Sequence, residues 1–184
     1  MQWAIARGQR MNHEFTLIFQ LPTDAPSTDA MVEALAEAGC DDAIVGTGHP
    51  GRIALEFSRE ADNATTAIDS AIDNVQTALP GAELIEAAPD YAGLTEIAEI
   101  IGISRQALRK QMLNHLDFPR PIHCGNPSLW HLAPVLEWLQ QERDYRVDAV
   151  LKDITHHNMH LNALQQSKQA QGSRGKDQGT RIKE

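Results

Sequence analysis

Between Glu14 and Pro89 the apolar residues change rhythm from one short segment to the next, and the order of those rhythms restricts the fold more than any other property of the chain. FTLIFQL reads as a strand and residues 27–38 as a helix; AIVGTG and RIALEF read as two strands, residues 63–79 as a second helix, and AELIEA as a last strand. Ser27 is suited to cap the first helix, Met31, Val32, Leu35 and Ala38 share one of its faces, and Gly39 stops it. In the second helix Ile68, Ile72, Val75 and Leu79 recur at helical spacing until Pro80-Gly81 ends the run.

Strand, helix, strand, strand, helix, strand is the order of the split βαβ, or ferredoxin-like, sandwich, in which two helices cover one face of an antiparallel sheet. The expected class is therefore α+β: a ferredoxin-like unit, then a winged helix-turn-helix, then a C-terminal helix. Pro89-Asp90 marks the change between the first two. The expected divisions are an extension over residues 1–13 and an acidic domain over 14–89. A DNA-binding domain over 90–143, a helix suited to dimerisation over 144–166 and a disordered basic tail over 167–184 follow. In that helix Val147, Val150, Leu151, Ile154, Leu161 and Leu164 approach a heptad rhythm. The tail is rich in Gly, Gln, Lys and Arg and lacks apolar periodicity.

Net charge is −9, but its distribution decides which surface can approach which partner. Residues 1–90 hold 15 Asp and Glu against 4 Arg and no Lys, a balance of −11; residues 91–143 are neutral and residues 144–184 carry +2. Only the second half can sit on phosphate without strong repulsion. The acidic half suits a basic protein partner. Cys40 and Cys124 stand far apart and form no metal or disulfide motif. The opening MQWAIARGQR does not read as a secretory signal and no run approaches a membrane span, so a cytoplasmic location without membrane contact is expected. Met1 and Met11 are both suited as starts.

Residues 94–113, LTEIAEIIGISRQALRKQML, contain two short amphipathic helices separated by Ile101-Gly102-Ile103. Thr95 is expected to cap the first. Ala98 permits a close helix crossing, Gly102 takes a conformation that other residues resist, and Ile97, Ile103 and Leu108 are expected to form a small core. Ser104 is placed to cap the second helix, with Ala107 and Leu108 inward and Arg105, Gln106, Arg109 and Lys110 outward. Arginine can pair bidentately with guanine, glutamine with adenine, and lysine or serine with phosphate oxygens.

With DFPRPI and SLWHLAPVLEWL downstream, this region resembles the excisionase-like branch of the MerR-type winged-helix superfamily over about 50 residues. The resemblance implies that Ser104, Arg105, Gln106, Arg109 and Lys110 face double-stranded DNA. It also implies that Arg120, His123 and Asn126 lie on or near a wing, and that Trp130, Leu136 and Trp138 are core. Two positions depart from that pattern: Ser128-Leu129 precede Trp130 where a basic residue is common, and Gln111 stands where an apolar residue is often buried.

Other signals are weaker. Residues 46–51 match GxGxxG, but a strand-like run follows instead of a helix, so no dinucleotide site is expected. His156, His157 and His160 lack the further ligands that a metal site needs, His123-Cys124 has no third catalytic partner, and Asp41-Asp42 reads as a solvated turn. No catalysis, cofactor or metal is expected. The reading that results is a sequence-specific, homodimeric transcriptional regulator. The alternatives are an antitoxin that neutralises a toxin through residues 14–89 while repressing its own operon, and a protein adaptor that does not bind DNA.

Overall fold

The computed structural model describes residues 10–177. Its elements run β1 (Met11–Gln20), α1 (Thr28–Glu37), β2 (Ala43–Gly46), β3 (Arg52–Ala61), α2 (Ala64–Ala78) and β4 (Glu83–Ala88). Then come β5 (Tyr91–Ala92), α3 (Leu94–Ile101), α4 (Arg105–Asn114), β6 (Trp130–His131), α5 (Leu132–Arg143) and α6 (Ala149–Asp177). The first four strands form one antiparallel sheet in the order β4-β1-β3-β2. Among the described residues no helix is long and apolar enough to cross a membrane.

Strand alternation decides which side of the sheet is dry. Phe15, Leu17 and Phe19 of β1 and Ile53, Leu55 and Phe57 of β3 face the helices and pack with Met31, Leu35, Ile68 and Val75. Phe15 and Phe57 are directly opposite in register, and their rings stack at 5.2 Å. Ser27 and Asn63 cap α1 and α2 through their side chains. Val32 does not share the buried stripe of Met31 and Leu35: it is 43% exposed, because α1 seats only a narrow i, i+4 stripe on the sheet.

Three sequence expectations change here. Strand β1 starts at Met11, so Met11, Asn12 and His13 pair with Ala61, Glu60 and Arg59 of β3 and are not extension; residues 1–9 lie outside the described residues. Asp41 and Asp42 do lie in a turn and Asp41 is exposed, but Asp42 is half-buried: the buried Arg59 grips it bidentately, at 2.7 Å and 2.9 Å, and donates further to the Gly39 carbonyl and the Ser70 hydroxyl. That hydrogen bond to Asp42 also raises the guanidinium pKa further. Helix α6, capped by Asp148, continues to Asp177, through most of the segment expected to be a disordered tail; residues 178–184 lie outside the described residues.

Helix α6 joins the two halves of the chain. Ile154 enters the core beneath the sheet, with Val150 and Leu161 beside it, while Leu151 packs on the second core around α5. Its apolar rhythm is thus satisfied within the chain, leaving Leu164, 44% exposed, outside the contact. Asn162, 1% exposed, both accepts from the Ala87 N–H and donates to the Ala87 carbonyl, each at 2.8 Å, as a neighbouring strand would. It caps the edge of β4 at Ala87 and also donates to the buried Asp90, which in turn pairs with His131. His156 and His157 are held by Glu137 and Asp69, fastening α6 to α5 and α2.

His13 points into this interior with both ring nitrogens buried and without a hydrogen-bond partner among the described residues. A buried polar group without a partner costs stability that an apolar replacement of similar size recovers. His13→Leu is therefore expected to raise the free energy of unfolding by about 1–2 kcal/mol. Urea titration checks this; a lower unfolding midpoint would show that the imidazole stabilises the fold.

Candidate nucleic-acid interface

Strands β5 and β6 pair as a second small sheet, from which α3, α4 and α5 are hung. The first helix of the pair is capped by Glu96, whose carboxylate accepts from the Gly93 N–H at 2.9 Å; Thr95, the expected cap, is already inside α3 and exposed. Gly102 ends α3 with φ +75°, a left-handed conformation that favours glycine, and the Ile103 N–H then returns to the Ala98 carbonyl at 2.9 Å. Ser104 opens α4 by accepting from the Ala107 N–H at 3.1 Å.

Ile97, Ala98 and Leu108 are buried where the two helices cross, and Ile103 and Met112 pack beside them. Ala107 is exposed, not inward. The buried line of α4 runs from Leu108 to the half-buried Gln111 and Met112, which leaves position 107 on the flank. Ser104, Arg105, Gln106, Arg109 and Lys110 are all exposed.

After α4 the chain is pegged by aromatic side chains. Trp130 donates its indole N–H to the Pro119 carbonyl at 3.1 Å and Trp138 donates to the Asp117 carboxylate at 2.8 Å, while Phe118 lies edge-on against both rings. Arg143 lies over the Trp138 ring at 5.1 Å and donates to His115. Trp130, Leu136 and Trp138 are buried. Beyond these pegs Ile122 and His123 bond to Leu129, forming a narrow hairpin with His123, Cys124, Gly125 and Asn126 exposed.

The Trp138 indole, foremost, holds the Asp117 carboxyl below its ordinary range, with smaller help from its own backbone N–H, His115 and Arg143. A carboxyl whose pKa is lower in the folded chain adds stability above its unfolded pKa, and that contribution is lost as pH falls through the folded value. The stability advantage over Trp138→Phe is accordingly expected to be largest at neutral pH and to shrink by about pH 3. Thermal unfolding of both proteins at the two pH values checks the sign; a difference that widens in acid would contradict it.

These constraints leave a groove of about 620 Å³ between α4 and the hairpin. Arg105 and Arg109 line one wall, Arg120 and Asn126 the other, and none of its described lining residues is a carboxylate. Ser104, Gln106, Lys110 and His123 are exposed outside the groove. Thr95 and Ser128 also line it; the sequence marks Thr95 only as a helix cap and Ser128 only as a departure from the family pattern, because a lone hydroxyl carries no spacing signal for a binding site. A larger cleft of about 1150 Å³, between α2, β4 and α6, is lined by Asp69, Asp73 and Glu83 against Lys168, a charge balance that repels phosphate. Among the described residues no group of three or more His, Cys, Asp or Glu could hold a metal ion. Comparison with family models, curated proteins and solved structures finds no match to this chain.

Proposed function

We propose that this chain is a sequence-specific DNA-binding transcriptional regulator in which α4 enters the major groove and the hairpin after it meets the adjacent backbone. The observation that carries this reading is the carboxylate-free groove with Arg105 and Arg109 on one wall and Arg120 and Asn126 on the other. Two helices crossing at Ala98, a left-handed Gly102 and a serine-capped second helix support reading residues 90–143 as a winged helix-turn-helix. The strand order β4-β1-β3-β2 supports reading the acidic unit as a ferredoxin-like sandwich. Binding as a homodimer would read two half-sites.

Arg105→Ala and Arg109→Ala are each expected to weaken specific binding by about 1–3 kcal/mol, and Lys110→Ala, as a phosphate contact, to reduce the salt slope by roughly 1. Fluorescence anisotropy at fixed salt, with the DNA upstream of the coding sequence and a scrambled competitor, measures both effects. All three residues are exposed, so unfolding midpoints should not move. Equal affinity of the parent and both arginine variants for specific and scrambled DNA would reject the proposal.

A further inference from the structure

The four-stranded sheet has a second face that neither α1 nor α2 covers. Alternation puts Glu14, Thr16 and Ile18 of β1 on it, with Ala54, Glu56 and Glu60 of β3 and Ile44 of β2. In register, Thr16, Glu56 and Ile44 form one row and Ile18, Ala54 and Gly46 the next, so a shallow apolar strip crosses three strands. Ile44 is 72% exposed. Glu14, Glu56 and Glu60 stand around that strip, and Glu86 of β4, opposite Ile18 in register, shares the face. None of these four carboxylates takes part in a hydrogen bond or ion pair among the described residues.

The two edges of the sheet are treated oppositely. Asn162 of α6 occupies the N–H and the carbonyl of Ala87 on the β4 edge, whereas β2, at the other end, has no further strand beside it among the described residues. An open edge next to an exposed isoleucine is a surface to which another chain can bind. The charge decides which chain. Arg52 is the one basic residue that the pairing puts on this face, and a second copy presenting the same carboxylates would be repelled.

We propose that this open face, from β1 across β3 to the β2 edge, is the docking surface for a lysine- and arginine-rich extended segment of a partner protein. Apolar side chains of the segment lie on Ile18, Ala54 and Ile44, and its cations meet Glu14, Glu56 and Glu60. The inference does not depend on the DNA-binding reading, since the two surfaces share no residue.

The test uses the full chain, isotopically labelled, titrated with a synthetic extended peptide of about twelve residues in which arginine and valine take turns at every second position with serine between them, so that both kinds of side chain meet the same face; a peptide with glutamate in place of arginine serves as control. Saturable shifts are expected at the amides of β1, β2 and β3 with the arginine peptide alone. Glu14→Lys/Glu56→Lys/Glu60→Lys should weaken binding by about tenfold or more, whereas Asp29→Lys/Glu33→Lys/Glu37→Lys, an equal charge change on the exposed side of α1, should cost less than about threefold. Equal losses in the two variants, or shifts spread over every acidic surface without saturation, would overturn the proposal.

Discussion

Asn162→Leu is expected to lower the free energy of unfolding by about 3–5 kcal/mol, although it exchanges a polar side chain for an apolar one of similar size in a buried place. The asparagine is 1% exposed and makes three hydrogen bonds of 2.8 Å each. Removing it orphans the N–H and the carbonyl of Ala87 and takes one partner from Asp90, which is itself buried. Each buried group left unpaired costs about 1–3 kcal/mol, and more where the group is charged. His131 still reaches Asp90, which keeps the total toward the lower part of that sum.

The contrast with His13→Leu sharpens the test. Both substitutions place leucine where a buried polar side chain stood, and hydrophobicity alone gives both the same sign. Hydrogen-bond accounting gives opposite signs, because His13 has no partner to abandon and Asn162 has three. Chemical denaturation of the two variants beside the parent decides between these views. If Asn162→Leu were neutral, the edge of β4 would be shown to hold without its cap. The consequence would extend to α6, which Asn162 ties to β4 and Asn158 ties to the Pro89 carbonyl at the junction of the two halves.

Local rules account for what could be read from the residues alone. Strands β1 to β4 and helices α1 and α2 are set by side-chain periods within each segment, and the caps Ser27, Ser104 and Gly102 act within four residues of themselves. What escaped reading depends on partners distant in the chain. Asp42 does lie in a turn, but its burial under Arg59, 17 residues on in β3, carries no local signal, and β1 starts early because β3 continues to Ala61. The length of α6 was missed for a different reason. Past residue 166 the helix continues with SKQAQ, which is polar but mostly Lys, Gln and Ala, good helix formers, so polarity and helicity part company there. At the interface the outward placement of Arg105 and Arg109 follows from helical spacing. Their meeting with Arg120 and Asn126 does not, since two tryptophans at positions 130 and 138 fold the intervening chain back.

That folding back makes Trp130 the second place where a single change should have a large effect. Trp130→Ala empties a site that is 3% exposed and removes the ring against which Phe118 packs, and truncations of this kind cost about 3–5 kcal/mol. Trp130→Phe keeps an aromatic ring and removes the indole N–H that holds the Pro119 carbonyl, so its cost should be nearer to 1 kcal/mol. The phenylalanine variant is therefore the informative one for function. It stays folded while the segment carrying Arg120 loses its peg, and its DNA affinity is expected to fall although position 130 is buried away from solvent. In a double-mutant cycle with Arg120→Ala the two losses should not add, because the tryptophan acts by placing the arginine. Fully additive losses would mean that Arg120 holds its position without Trp130, and that the groove is shaped by the α4 side alone.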